Sequence, residues 1–309
     1  MISDVTQWQV GEAKITALIE QNLNDINGLI QGATAEELAK IEWLNPHFME
    51  EDGTLIGVVQ CFVIEISGKI IVVDTCVGDH KDLPSSQEWD QKLFGLLDRF
   101  KAAGFDPMAV NFVLCTHLHL DHVGMNTLLV DGHFRPTFPN AQYLFARTEY
   151  DFWASEYAKP EEDPATLDRP FERMRAIFHT TQKNVHEQSV QPVFDAGLAE
   201  LVDLPHVIVS GVKLVPTPGH TPGHASVAIV SENQSAIITG DSFHHPCQIA
   251  HSEWGTFADI DRAAAAATRR EMLVGLCDRE TLMIGTHFAW PTAGRIVADG
   301  TTYRLESDI

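Results

Sequence analysis

The 309-residue chain contains 43 acidic and 21 basic residues, which give a formal net charge of −22 at pH 7. A negative field of this size repels phosphate backbones and anionic lipids, so nucleic acids and membrane surfaces are poor candidates as partners. The five cysteines are odd in number and form no CxxC pair, which argues against a disulfide framework and excludes a cysteine-based zinc ribbon.

The N-terminal segment, MISDVTQWQV, has neither a basic start nor an apolar run, so it is unlike a secretory signal peptide. The sequence contains no run of about 18 apolar residues, so we expect no transmembrane helix and a cytoplasmic protein. We interpret residues 1–54 as an N-terminal extension of a single domain that spans 1–309. Within it, Thr34-Ala-Glu-Glu37 is typical of a capping box and predicts a short helix through about Trp43.

The next segments alternate between strand and helix patterns. Residues 55–77 predict two strands joined by a turn at Ser67-Gly68, and their nearly continuous apolar character indicates a sheet buried on both faces. Residues 86–103 are apolar at helical spacing, with Gly104 as the stop. Further predicted elements are strands at 111–116 and 143–146 and helices at 148–157 and 165–183.

A cluster of histidines follows the predicted strand at 111–116. His117, His119, Asp121 and His122 form the pattern HxHxDH within six residues. Side chains two apart on an extended segment point the same way, so His117 and His119 can share one metal, while the last two residues can face a second position nearby. Imidazole and carboxylate groups at this density predict a site for a transition metal.

The second half of the chain repeats the alternation, with predicted strands at 212–217, 225–230, 235–241 and 281–287 and an alanine-rich helix at 259–277. Several strands end in a histidine or an aspartate, and strands that deliver side chains into one cleft are how α/β folds usually build sites. Three such residues are further candidate ligands: His220, Asp241 and His287.

Together these motifs resemble the metallo-β-lactamase superfamily over about residues 55–290. The matching segments are VDT at Asp74, THLHLDHVG at His117–Gly124, TPGHTPGH at His220, TGD at Asp241 and GTH at His287. The resemblance implies an α/β fold class, specifically a four-layer αββα sandwich made of two similar halves, with metals in a cleft at the sheet edges.

The resemblance also implies how the ligands divide between two metals. His117, His119 and His220 would hold one ion, and Asp121, His122 and His287 would hold the other. Asp241 would bridge the pair. Two further motif residues are not expected to be ligands, because Asp74 usually orders the loop beneath the site and His224 is interpreted as a packing residue.

Such a centre predicts a hydrolase. Two divalent ions bridged by a carboxylate can share a hydroxide, since a metal lowers the pKa of bound water to about 7. The donor set lacks thiolate, which favours zinc, with manganese, iron and cobalt also compatible. We predict catalytic roles for Asp121, Asp241 and His244, with Asp241 or a neighbour carrying a proton to the leaving group.

Several branches of the superfamily fit the sequence poorly. Nucleases need a basic surface, glyoxalase II has a basic C-terminal region, and flavin-linked reductases need a second domain. The lactonase and organophosphate-hydrolase branch remains. Homoserine-type lactonases commonly place a tyrosine three residues after the bridging aspartate, where this chain has His244. This departure favours the broader relatives in that branch.

The expected substrate is a small, neutral lactone, ester or phosphotriester. Aromatic residues near the motifs are candidates for an apolar pocket, with a core position as the other interpretation: Phe48, Phe243, Trp254, Phe257, Phe288 and Trp290. The alternatives to a dinuclear hydrolase are a glyoxalase II-like thioesterase and a mononuclear iron dioxygenase on the same fold. Exposed-looking apolar residues within 21–50 could form a homodimer interface or cover the pocket mouth.

Overall fold

The computed structural model describes residues 5–307, and sixteen strands lie within this range. The strands of the first half are β1 Val5–Val10, β2 Ala13–Leu23, β3 Gly57–Ile66, β4 Lys69–Val73, β5 Phe112–Leu114, β6 Thr127–Val130, β7 His133–Pro136, β8 Gln142–Ala146 and β9 Ala199–Val202. Those of the second half are β10 His206–Val209, β11 Val212–Pro216, β12 Ala225–Ser231, β13 Gln234–Ile238, β14 Leu282–Ile284, β15 Ala293–Asp299 and β16 Thr302–Glu306.

These strands form two sheets of seven and one hairpin. The first sheet has the order β1-β2-β3-β4-β5-β8-β9, the second has the order β10-β11-β12-β13-β14-β15-β16, and β6 pairs with β7. Strands β4, β5, β8 and β9 run parallel, as do β13 and β14, and the other pairs are antiparallel. Parallel neighbours bring their carboxyl ends to one edge, which is where the candidate ligands follow the strands.

Seven α-helices connect and cover the sheets within the described range. They are α1 Ala35–Leu38, α2 Leu96–Ala102, α3 Arg147–Tyr157, α4 Pro170–Val185, α5 Gln191–Asp195, α6 Cys247–Ala250 and α7 Arg262–Leu276. None of the helices in residues 5–307 combines the length and the apolar character needed to cross a membrane.

Three apolar clusters define the layers. One lies between the two sheets and joins side chains such as Phe62 and Ile64 of β3 to Leu214 of β11 and Val227 of β12. A second lies between the first sheet and helices α2 to α5, and a third lies between the second sheet and α1, α6 and α7. Each sheet is therefore buried on both faces, which is why its central strands are continuous apolar runs. The predicted four-layer α/β architecture is confirmed in this arrangement.

The predicted strand and helix cores match the structure, but several ends differ. The strands predicted to run to Asp241 and His287 stop earlier, at Ile238 and Ile284. The backbone turns at Gly240, whose φ of +55° is left-handed. Asp241 and His287 consequently lie on loops beyond the strand ends rather than on the strands themselves.

Two predicted helices are shorter than expected. Residues 87–91 form turns, residues 92–95 have no regular secondary structure, and α2 starts only at Leu96, because Gly95 adopts a left-handed φ of +73°. The helix at the capping box ends at Leu38. The Thr34 hydroxyl accepts the Glu37 amide as predicted, but the Glu37 carboxylate pairs with Lys40, so the return half of the box is not made.

The N-terminal region is more closely integrated than the sequence indicated. Strands β1 and β2 lie before residue 55, yet they belong to the first sheet, with β2 paired along β3. The apolar residues within 21–50 are also not exposed as expected: Ile30, Ile41 and Phe48 are at most 4% exposed and pack in the third cluster. The single-domain organisation and the homodimer stay predictions.

Gly124, at the end of the histidine motif, gives a test of this packing. An added β-carbon would lie 1.7 Å from the Val77 carbonyl oxygen, a rigid backbone atom. We expect Gly124→Ala to lower the free energy of unfolding by about 3 kcal/mol or to prevent folding. Gly275→Ala is the control, because an added β-carbon there has no neighbour within 4 Å, and it should stabilise α7 by about 0.5–1 kcal/mol. Denaturant unfolding of both variants measures this, and equal stability of the two would contradict the packing described.

Candidate metal centre

The first group of candidate ligands comes from two loops. His117 and His119 follow β5, and His220 lies in the loop between β11 and β12. His119 Nδ1 lies 3.0 Å from His117 Nε2 and 2.9 Å from His220 Nε2. All three side chains are at most 5% exposed. Three buried ring nitrogens therefore converge on one point.

The second group is formed by Asp121, His122 and His287, whose donor atoms lie within 4.8 Å of one another. His122 Nε2 is 3.6 Å from one carboxylate oxygen of Asp121, and His287 Nε2 is 3.7 Å from the other. The loop after β14 supplies His287, so this group, like the first, draws on both sheets.

Asp241 lies between the two groups and faces both. Its Oδ2 is 3.8 Å from His117 Nε2 and 3.4 Å from His220 Nε2. Its Oδ1 is 3.2 Å from His122 Nε2 and 3.1 Å from His287 Nε2. Each oxygen of the carboxylate is thus directed at a different set of imidazoles, the arrangement expected of a carboxylate shared by two cations.

Most of the ligand rings are held through their second nitrogen. His122 Nδ1 is 2.9 Å from Asp74 Oδ2, and the other oxygen of Asp74 accepts the Thr116 amide. His220 Nδ1 is 3.0 Å from Asp259 Oδ1, and His287 Nδ1 donates to the carbonyl oxygen of Val58 at 2.8 Å. Such contacts fix the tautomer and the direction of a metal-binding imidazole.

His224 does not belong to either group of donor atoms among the described residues. Its Nδ1 contacts the Thr217 hydroxyl at 2.9 Å, and its Nε2 accepts the backbone N–H of Asp241 at 2.9 Å. Its position therefore agrees with the expected packing role, and it adds one function: the ring holds the backbone of Asp241 in place. Asp74 likewise orders the histidine loop, as expected from the sequence.

The donor set fits divalent metal ions. Nitrogen ligands at about 2.0–2.1 Å from a tetrahedral zinc ion lie about 3.4 Å apart, close to the 2.9 and 3.0 Å separations around His119. Lone pairs of neutral imidazoles that point at one another repel unless a proton or a cation lies between them. Burial of the nitrogens away from water makes that requirement stronger.

The electrostatics of the two groups differ. Burial lowers the pKa of His117 and of His119 well below the usual value, with repulsion from neighbouring imidazoles adding to this effect. Burial also opposes a charged His287, but the carboxylates of Asp241 and Asp121 outweigh it and raise the pKa of His287 to about 9. Because neutral imidazole is the form that binds a metal, ion binding at the second group must displace this proton.

The sequence profile of the metallo-beta-lactamase superfamily matches residues 55–276, which is more than half of the chain. The chain belongs to the metallo-beta-lactamase superfamily. The resemblance inferred from the motifs is therefore confirmed. The matched segment contains six of the seven candidate ligands, and His287 lies beyond it in the segment that completes the second sheet.

Two curated lactonases are similar to part of this chain. N-acyl homoserine lactonase AttM from Rhizobium radiobacter is 28% identical over 151 residues, 47% of this chain and 45% of the relative. An N-acyl homoserine lactonase from Bacillus thuringiensis is 24% identical over 196 residues, 58% of this chain and 61% of the relative. The chain thus spans about half the length of the curated relatives it matches.

Two solved structures superimpose along the whole chain. The hydrolase AbOPH matches with a TM-score of 0.78 and 25% identity, covering 100% of this chain and 99% of that one. AidC, described as a dizinc quorum-quenching lactonase, matches with a TM-score of 0.74 and 22% identity over 100% and 99% of the two chains. The likeness to AidC concerns the fold.

The metallo-beta-lactamase motifs located the seven candidate ligands, and the structure brings all seven together. They did not locate Asp259, whose carboxylate contacts His220 Nδ1 and accepts the Thr256 amide. Asp259 lies 39 positions from His220 in a segment without a recognisable motif, so only the folded chain shows the contact.

Of the two interpretations of the aromatic residues near the motifs, the core position applies to most of them. Four of the six proposed residues, Phe48, Phe243, Trp254 and Phe288, pack in the third apolar cluster. A cavity of about 550 Å³ lies between α3 and α4; none of the seven candidate ligands lines it, but two of its aromatic rings contact His119. Its aromatic residues are Phe152, Trp153 and Phe178. The Trp153 and Phe178 rings lie 5.4 and 6.0 Å from the His119 ring, centroid to centroid.

The Asp259 contact leads to a prediction on metal retention. In Asp259→Asn the side chain keeps its shape but loses the charge that orients His220, so we expect affinity for a divalent metal to fall about 10–100-fold. Competition with a chromophoric chelator measures the affinity. The exposed pair of His251 and Glu253 provides the control, because its 3.0 Å contact is of the same kind but lies outside the ligand groups. Glu253→Gln should bind metal as the wild type does, and equal loss in both variants would contradict a specific role for Asp259.

Proposed function

We propose that this chain is a hydrolase that holds two divalent metal ions and cleaves a lactone, ester or phosphotriester bond in a small neutral substrate. The observation that carries the proposal is the position of Asp241, whose two oxygens face two separate groups of buried histidines. The names of the similar proteins, N-acyl homoserine lactonases and the hydrolase AbOPH, support the same reaction class.

The residues divide into the two ligand groups that the motifs implied. His117, His119 and His220 would hold one ion, Asp121, His122 and His287 the other, and Asp241 both. Zinc suits this nitrogen and oxygen donor set, and manganese, iron and cobalt are compatible with it. When bound, such ions activate water as a nucleophile and polarise the substrate oxygen on which negative charge develops.

Three side chains are assigned to the reaction itself. Asp241 and Asp121 orient the attacking water through their carboxylate oxygens. His244 Nε2 lies 3.2 Å from Asp241 Oδ2, and its Nδ1 is buried without a hydrogen-bond partner among the described residues. In this position His244 can act through Nε2, which faces Asp241, as a hydrogen-bond donor to a substrate held beside that carboxylate.

The surroundings of the centre define the substrate class. The cavity between α3 and α4 has an aromatic floor beside His119, which favours an apolar group on the non-reacting side of the substrate. Ion pairs such as Lys159 with Glu156 and Arg175 with Glu162 lie at the same cavity. Their cations are already neutralised, so a charged substrate gains little there, and the net charge of −22 disfavours polyanions.

Metal analysis combined with a substrate panel tests the proposal. We expect two equivalents of metal per chain and hydrolysis of at least one class among lactones, aryl esters and phosphotriesters. His119→Ala should lose metal and activity together, because the substitution removes one of the ligands of the first ion. His133→Ala, which changes an exposed histidine, should keep both.

Two results would contradict this function. A preference for S-lactoylglutathione without lactone or ester hydrolysis would indicate a glyoxalase II-like thioesterase. A single redox-active iron per chain with oxygen uptake would indicate a dioxygenase on the same fold.

A second prediction concerns the cavity. Ala176 is 4% exposed and lines it from α4, so Ala176→Phe should fill the space next to Phe178. We expect kcat/KM to fall about 10–200-fold for substrates with a long apolar group and to change little for short ones. Ala154→Phe, on the exposed side of α3, is the matched control. If Ala176→Phe lowered kcat/KM equally for short and long substrates, the cavity would not bind the apolar group of the substrate.

A further inference from the structure

Glu149 is a buried carboxylate that the proposed reaction does not use. It lies in the first turn of α3 and is 1% exposed. Its Oε1 accepts the backbone N–H of Leu118 at 3.1 Å and the indole N–H of Trp153 at 2.8 Å. Its Oε2 accepts the backbone N–H of Gly223 at 3.1 Å. One carboxylate therefore receives three N–H donors from three parts of the chain.

Two of these donors belong to loops that carry candidate ligands. Leu118 is the residue between His117 and His119, and Gly223 follows His220 by three positions in the same loop. The loops lie more than 100 residues apart in the sequence, since His119 and His220 are separated by 101 positions. Glu149 joins them through one oxygen each, so its two bonds fix one loop relative to the other.

The two loops joined by Glu149 are packed closely against α3 and α4, which leaves them little freedom to move. A β-carbon at Gly223 would lie 2.1 Å from the backbone nitrogen of Glu149, so the loop rests directly on the first turn of α3. On the other side of the peptide, the carbonyl oxygen of Leu118 accepts Gln182 Nε2 from α4 at 3.3 Å. Both backbone groups of Leu118 are thereby held by the two helices that also flank the cavity.

We propose that Glu149 is a positioning residue of the metal centre, and that its carboxylate sets the distance between the His117–His119 loop and the His220 loop. The distances that it controls are those from His119 Nδ1 to the other two ring nitrogens, 3.0 and 2.9 Å. This role of Glu149 rests on the proposed function, in which these ring nitrogens bind a metal ion. Because the second ligand group does not include His220, the first ion is the one that depends on Glu149.

A glutamine at this position would be nearly isosteric but could not accept all three N–H donors. An amide has one oxygen acceptor and one NH₂ donor, whereas the carboxylate accepts at both ends. In Glu149→Gln, either the Gly223 amide or the Leu118 and Trp153 donors would therefore face an NH₂ group. One loop would lose its bond in a buried place where water cannot replace it.

Cobalt(II) titration of the metal-free full chain tests this, followed by equilibrium dialysis and by the visible absorption of the bound ion. The wild type should bind two equivalents. Glu149→Gln should keep one and bind the other at least about tenfold more weakly, with a changed spectrum. Asp79→Asn is the control, because the Asp79 carboxylate also accepts two backbone amides, those of Phe94 and Gly95, in a segment that has neither a candidate ligand nor a residue that holds one.

The outcomes separate the two proposals. Wild-type protein that binds no cobalt overturns the proposed function and this inference together. Two tight equivalents in the wild type and in folded Glu149→Gln, or the same loss in Asp79→Asn, overturn the positioning role alone. If circular dichroism shows that Glu149→Gln does not fold, Glu149→Asp takes its place, since it keeps the charge but withdraws both oxygens from the loops. Wild-type cobalt binding by folded Glu149→Asp likewise overturns the role.

Discussion

The carboxylate of Asp241 is the constraint on which the site depends. It is 3% exposed and has imidazole nitrogens from two groups of histidines within 4 Å of its two oxygens. A buried charge is stable only when it is paired, and a convergent set of buried imidazoles is stable only when a cation or protons separate the lone pairs. A cation on each side of Asp241 would meet both requirements at once, so the loops that carry the histidines must close around this one carboxylate.

The fold meets this demand by placing loops from both sheets at one edge and then tying each of them down. Three candidate ligand rings are held at Nδ1, by Asp74, Asp259 and the Val58 carbonyl oxygen. His224 holds the backbone of Asp241. The two apolar faces of each sheet keep the strand ends rigid beneath these loops. The contacts that direct the imidazoles are therefore as much a part of the centre as the imidazoles themselves.

The sequence predicted those parts that depend on local pattern. Apolar runs identified central strands such as β3, β4 and β12, and the HxHxDH motif identified four candidate ligands because they are adjacent in the chain. Strands β1, β2, β15 and β16 were not predicted, since polar or partly exposed side chains interrupt their apolar pattern. Asp259 and Glu149 were missed for another reason: each acts on a loop far away in the sequence, and neither stands in a local motif that marks it.

The proposed function depends most on two metal ions lying on either side of Asp241. Anomalous diffraction from crystals grown with zinc, recorded above and below the zinc absorption edge, tests this most directly. We expect two anomalous peaks, one among His117, His119 and His220 and one among Asp121, His122 and His287, with an oxygen of Asp241 next to each. A single peak, or peaks away from Asp241, would contradict it.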